Sequence, residues 1–70
     1  MYFRRLEELR VDGDRRQKDV AEYLGLNPEV YRRYEKGLRE IPVWAVIRLA
    51  DYYHVSTDYL LGRTDRRKKV

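Results

Sequence analysis

Seventy residues with no cysteine, two prolines and four glycines leave few ways to hold a fold together. Without cysteine there is no disulfide staple and no thiolate nucleophile or ligand, so a chain this short must stay folded through helix packing alone. The single histidine, His54, has no partners at metal-ligand spacing, and no metal site is expected. Long apolar runs are missing too. The longest, Val43 to Ile47, falls far short of the roughly 20 residues that a membrane span needs, and the opening MYFRRLEELR lacks the apolar centre of a signal peptide. The chain therefore reads as soluble and cytoplasmic, with no membrane partner. Its length leaves little room for a deep catalytic cleft and the shell that would support one. His54, Ser56 and Asp58 include the letters of a hydrolase triad, but they crowd into one short stretch where Ser56 serves as a helix cap and His54 suits a helix C-terminus. No catalytic residue, cofactor or small-molecule ligand is expected, and a binding module is the better class.

Charge is abundant and uneven. The formal net charge is +4, and residues 63 to 70, RTDRRKKV, carry the whole excess, with five basic residues against one acidic. Residues 15 to 39 hold a second, smaller concentration: seven basic residues against four acidic. A polyanion would meet this segment first; the alternative reading of the composition is a solvated mixed-charge surface. Residues 63 to 70 contain one apolar residue and many like charges, so they are expected to form a disordered basic tail on a domain spanning residues 1 to 62.

Period-2 alternation is absent, and the apolar spacing is helical throughout. Phe3, Leu6 and Leu9 mark a first helix ending near VDGD; Val20, Ala21 and Leu24 mark a second, closed by Gly25. Asn27 caps a third, Pro28 fits its first position, and Gly37 suits a left-handed stop. Pro42 starts a fourth, with Val46, Ile47, Leu49, Ala50 and Tyr53 on its apolar face, and Ser56 caps a fifth that Gly62 ends.

The third helix has two faces. At about 100° per residue, Tyr31, Tyr34 and Glu35 share one side while Glu29, Arg32, Arg33 and Lys36 share the other. The aromatic side can hold the helix on a core so that the arginines project.

The stretch QKDVAEYLGLNPEVYRRYEKG, with a short helix, a turn at Gly25 and Leu26 and a second helix after Asn27, has the helix-turn-helix pattern. With LEELR before it and REIP and RLADYYHVSTDYLLG after it, the chain from about Phe3 to Leu61 resembles the Cro and phage-repressor type, often called Xre-like. The resemblance implies an all-α, five-helix, lambda-repressor-like DNA-binding domain and a sequence-specific transcriptional regulator, most simply a repressor. It implies that Gln17 donates to a DNA phosphate, that the Asn27 to Lys36 helix lies in the major groove of double-stranded DNA, and that Arg10 and Glu35 form a buried structural ion pair. It also implies a homodimer on two half-sites, built by the helical body around Val55 to Tyr59.

Physical chemistry assigns the remaining candidates. An Arg fork matches guanine O6 and N7, which makes Arg33 and Arg32 the base-reading candidates. Glu29 is a third: it either accepts from a cytosine amino group or complements the helix N-terminus and pairs with Arg33 at i,i+4. Lys36 and Arg39, further along, together with Arg16, Lys18 and Asn27 near helix starts, are the candidates for phosphate contact beside Gln17. Arg16 stands where Ser or Thr usually caps, which weakens that helix start. The rival reading is a helical protein-interaction module, or an antitoxin-type partner, using Trp44. That side chain either forms an interface or lies over the Arg48 stem.

Overall fold

The computed structural model describes residues 1–68, and the described residues form five α-helices and no strand. They are α1 (Arg4–Asp12), α2 (Gln17–Leu24), α3 (Pro28–Glu35), α4 (Val43–Tyr53) and α5 (Thr57–Leu60). One core joins them: Leu6 and Leu9 of α1, Val20, Ala21 and Leu24 of α2, Tyr31 of α3, Ala45, Val46, Leu49 and Ala50 of α4, then Val55 and Leu60. Each large apolar side chain buried there contributes about 1.5–3 kcal/mol, which stands in for the missing staples.

Local chemistry sets the helix ends. Asn27 Oδ1 accepts from the Glu29 N–H at 2.8 Å, and Pro28 follows at a position that needs no donor. At the other end Gly37 takes φ 75°, with Gly37 N–H donating to Tyr34 O and Leu38 N–H to Arg33 O, the paired closure that a left-handed residue permits. A side chain there would also strike the backbone of Tyr2, which lies 2.9 Å from where a Cβ would sit. Ser56 Oγ accepts from Tyr59 N–H at 2.9 Å and starts α5. The start of α2 is better made than Arg16 suggests, because Asp19 reaches back and accepts from the Arg16 N–H at 2.9 Å, half of a capping box.

Two expectations need correction. Ile47 is 49% exposed and is no part of the core; Ala45, fully buried, takes its place, so the apolar stripe of α4 runs through 45, 46, 49, 50 and 53. Trp44 is exposed, and the guanidinium of Arg48 lies over the Tyr23 ring at 5.5 Å. Tyr23 in turn donates to Arg48 O at 2.9 Å and stacks on Tyr52 at 4.1 Å, tying α2 to α4.

The second correction concerns the basic tail. Residues 69 and 70 lie outside the described residues, but residues 63–68 run back over the body. Arg5, only 7% exposed, donates Nη1 to Tyr59 O at 2.7 Å and to Thr64 O at 2.6 Å, and Nη2 to Asp65 Oδ1 at 2.7 Å, while its guanidinium stacks on Tyr59 at 3.9 Å. Arg67 O accepts from Ser56 N–H at 2.9 Å. Like charge alone argued for a free arm; the Thr64 carbonyl and the Asp65 carboxylate, whose placement composition does not reveal, help satisfy a buried cation instead.

Candidate nucleic-acid interface

The helix-turn-helix is built by α2, the turn through Gly25, Leu26 and Asn27, and α3. Gly25 takes φ 73°, and the Leu26 N–H donates to Ala21 O at 2.8 Å, so the chain reverses without a longer loop. Tyr31 is fully buried and Tyr34 nearly so, and together with Glu35 they fix which side of α3 faces inward. Arg33 consequently projects outward, and no ion pair among the described residues engages it. Burial pushes the Tyr31 hydroxyl well above the ordinary phenol range, with the neighbouring Glu35 charge adding to the effect. Tyr53 is likewise raised by burial, then by Tyr52.

The other two base-reading candidates bind each other. Arg32 Nε donates to Glu29 Oε1, one turn away at i,i+3, and this bond holds the Glu29 carboxyl below its ordinary range. The expected i,i+4 pair with Arg33 is thus replaced by Arg32, and Arg33 is left available.

The phosphate candidates divide by the partners they have. Lys18 and Arg39 are exposed and without ion pairs among the described residues. Arg16 is exposed, but its guanidinium reaches both Asp19 oxygens at 3.2 Å, and Lys36 Nζ lies 3.5 Å from Glu7 Oε2. Such exposed pairs are weak and exchange readily for a phosphate. The Asn27 carbonyl oxygen is engaged as the cap of α3, with its amide N–H groups left over.

Gln17 is placed differently from the others. Its Nε2 donates to Glu35 Oε1 at 3.2 Å, so the side chain is tied inward and only partly exposed. Glu35 is fully buried, and Arg10 grips it through Nε to Oε2 at 2.9 Å and Nη2 to Oε1 at 3.0 Å, while Arg10 Nη1 donates to Arg15 O at 2.9 Å. Burial works against the Glu35 charge, yet hydrogen bonding from Arg10 and then Gln17 outweighs it and holds the carboxyl below the usual carboxylate range. Sequence reasoning missed Asp19 as a cap, Arg5 as a buried cation and Glu35 as the partner of Gln17. For Asp19 a signal was present, an acid three residues after the cap position.

Exposed apolar surface gathers on α4 and the loop before it. Val43 is 75% exposed, with Leu38, Trp44 and Ile47 also outside, and Ile41, Val43, Ile47, Thr57 and Leu61 line a shallow groove of about 350 Å³. Val55 is buried in the core, so the surface expected to pair two copies around Val55 to Tyr59 cannot include it. Among the described residues no helix is long and apolar enough to cross a membrane, and no group of three His, Cys, Asp or Glu could hold a metal ion.

Residues 6–60 match the helix-turn-helix family. The chain is 36% identical over 66 residues to the HTH-type transcriptional regulator ImmR of Bacillus subtilis, covering 94% of this chain and 52% of that protein. It is 34% identical over 65 residues to the cryptic phage CTXphi transcriptional repressor RstR of Vibrio cholerae, covering 93% and 59%. A third relative, the HTH-type transcriptional regulator AnsR of Bacillus subtilis, is 34% identical over 64 residues, covering 91% and 55%. The chain thus spans little more than half the length of these relatives. No solved structure matches it.

Proposed function

This chain belongs to the helix-turn-helix family, and on that basis we propose that it is a sequence-specific DNA-binding transcriptional regulator, a repressor, that lays α3 in the major groove of double-stranded DNA. The observation that carries the reading is the orientation of α3. Its aromatic side is locked into the core, which leaves the unpaired Arg33 fork pointing outward from a rigid element, and a guanine edge offers that fork two acceptors. Arg32 and Glu29 are the secondary readers, since they must first part from each other. Lys18, Arg39, Arg16, Lys36, Asn27 and Gln17 supply phosphate contacts that set register without reading sequence. Residues 1–62 are the DNA-binding domain. The role is regulatory rather than enzymatic, the site of action is the cytoplasm, and two copies bind two half-sites, with the exposed apolar face of α4 around Val43 and Ile47 as the surface that joins them.

Selection of bound duplexes from a random pool, repeated with Arg33→Ala, tests the reading. The substitution is expected to cost about 1–3 kcal/mol on the selected site and to relax preference at one base pair. Lys36→Ala should instead weaken selected and random DNA alike. If Arg33→Ala lowers every affinity equally while Arg32→Ala relaxes selectivity, the helix is rotated by about one residue in the groove. Failure of the selection to enrich any sequence would refute sequence-specific binding.

A further inference from the structure

The buried carboxylate of Glu35 has two hydrogen-bond partners that do different things. Arg10 neutralises it through two hydrogen bonds, and the third donor edge of Arg10 holds Arg15 O, fixing the loop that leads into α2. Gln17, the first residue of α2, gives it one amide proton. An ionised carboxylate only accepts, so the nitrogen end of the Gln17 amide must face inward, and of the two N–H groups on that nitrogen only one is consumed. The second has no partner among the described residues, and it sits where the free backbone N–H groups of a helix start favour an anion.

We infer that Glu35 is a positioning residue for DNA contact: it holds one N–H of Gln17 so that the other is aimed at a backbone phosphate. This rests on the proposed DNA-binding role. Glu35 is the last residue of α3, so the same carboxylate also ties the helix that reads bases to the side chain that sets register on the backbone. Without the tie, a glutamine side chain with three rotatable torsions must be ordered anew on every encounter, at a loss of affinity. With it, the phosphate contact is made in advance of binding.

Two measurements on the full chain test this. In the free protein, nitrogen-edited NMR of the Gln17 side chain should show its two amide protons exchanging with water at rates at least about tenfold apart, one held and one open; equal fast exchange would overturn the inference without any variant. The second is a double-mutant cycle on duplex binding at fixed salt, with Gln17→Ala and with the pair Arg10→Met/Glu35→Leu, which removes the carboxylate without stranding its cation. Gln17→Ala should weaken all duplexes about tenfold with an unchanged salt slope, because an amide releases no counterion. The pair variant, shown folded by its thermal transition, should lose a similar factor, and adding Gln17→Ala to it should change nothing further. A pair variant that binds as the parent does, or a Gln17→Ala cost that persists undiminished within it, overturns the positioning role. Binding indifferent to Gln17→Ala in the parent overturns it as well while leaving the DNA-binding reading intact. No duplex binding by the parent chain would sink both.

Discussion

Two buried charges lie near opposite ends of α1, Arg5 in its first turn and Glu35 against Arg10 in its last, and they are satisfied in different ways. Glu35 is wholly enclosed and depends on one cation, Arg10, whose side chain is 13% exposed. Arg5, by contrast, depends on the carbonyls of Tyr59 and Thr64, on the Tyr59 ring, and on an Asp65 side chain that is 98% exposed. The first arrangement fails if Arg10 is lost, since a wholly enclosed carboxylate has no water to turn to. The second is distributed and close to water, so each part contributes modestly. One end is therefore brittle and holds α3; the other is forgiving and closes the chain.

The sharpest way to break this comparison is at Glu35. Glu35→Ala leaves Arg10 with only the half-exposed Glu7 carboxylate at 3.9 Å and should cost up to about 3–5 kcal/mol, a large share of the stability of a domain this small, read as a fall in the denaturant midpoint. The same end should govern acid sensitivity. The Glu35 carboxyl titrates lower folded than unfolded, so its stabilisation is present above the unfolded value and is lost as pH falls through the folded one. Arg10→Met/Glu35→Leu should flatten the acid limb of a stability-against-pH curve, whereas Arg5→Met should leave that limb's shape as it is.

At the forgiving end the effects shrink in order. Arg5→Ala frees two carbonyls that water can partly reach and removes a ring contact, for about 1–3 kcal/mol, measured by chemical denaturation. Removing residues 63–70 deletes Thr64 O and Asp65 but lets the guanidinium meet solvent, so the thermal midpoint should drop by a smaller but resolvable amount; an unchanged midpoint would mean that the segment is a free arm after all. Asp65→Asn touches only the exposed partner, and its effect on stability should lie within error.

Much of the fold was legible in one dimension. Asn27, Pro28 and Gly37 write the ends of α3, and the spacing of Tyr31, Tyr34 and Glu35 gives the side it buries, because caps and the 3.6-residue period act within a few residues of chain. The same period failed to separate Ile47 from Ala45. Both flank Val46 by about 100° on either side, and hydropathy favours the larger residue. Only the shape of the neighbouring helices admits the smaller one and leaves Ile47 outside.

The candidate site was half legible for the same reason. That α3 carries a basic outer face, and that Arg33 and Arg32 stand on it, follows from local geometry. Which of the two arginines is available is settled by whichever one Glu29 takes, a choice between i,i+3 and i,i+4 that spacing leaves open and the structure makes for Arg32. Gln17 and Glu35 are 18 positions apart, Arg10 and Glu35 are 25, and Arg5 and Thr64 are 59. The sequence by itself determined the helices, their ends and the character of their faces, since these depend on neighbours along the chain. The tertiary structure decided that Arg5 is buried too and that Gln17, Thr64 and Asp65 help hold the buried charges, because burial brings together residues far apart in sequence, and a buried charge must find its partner there.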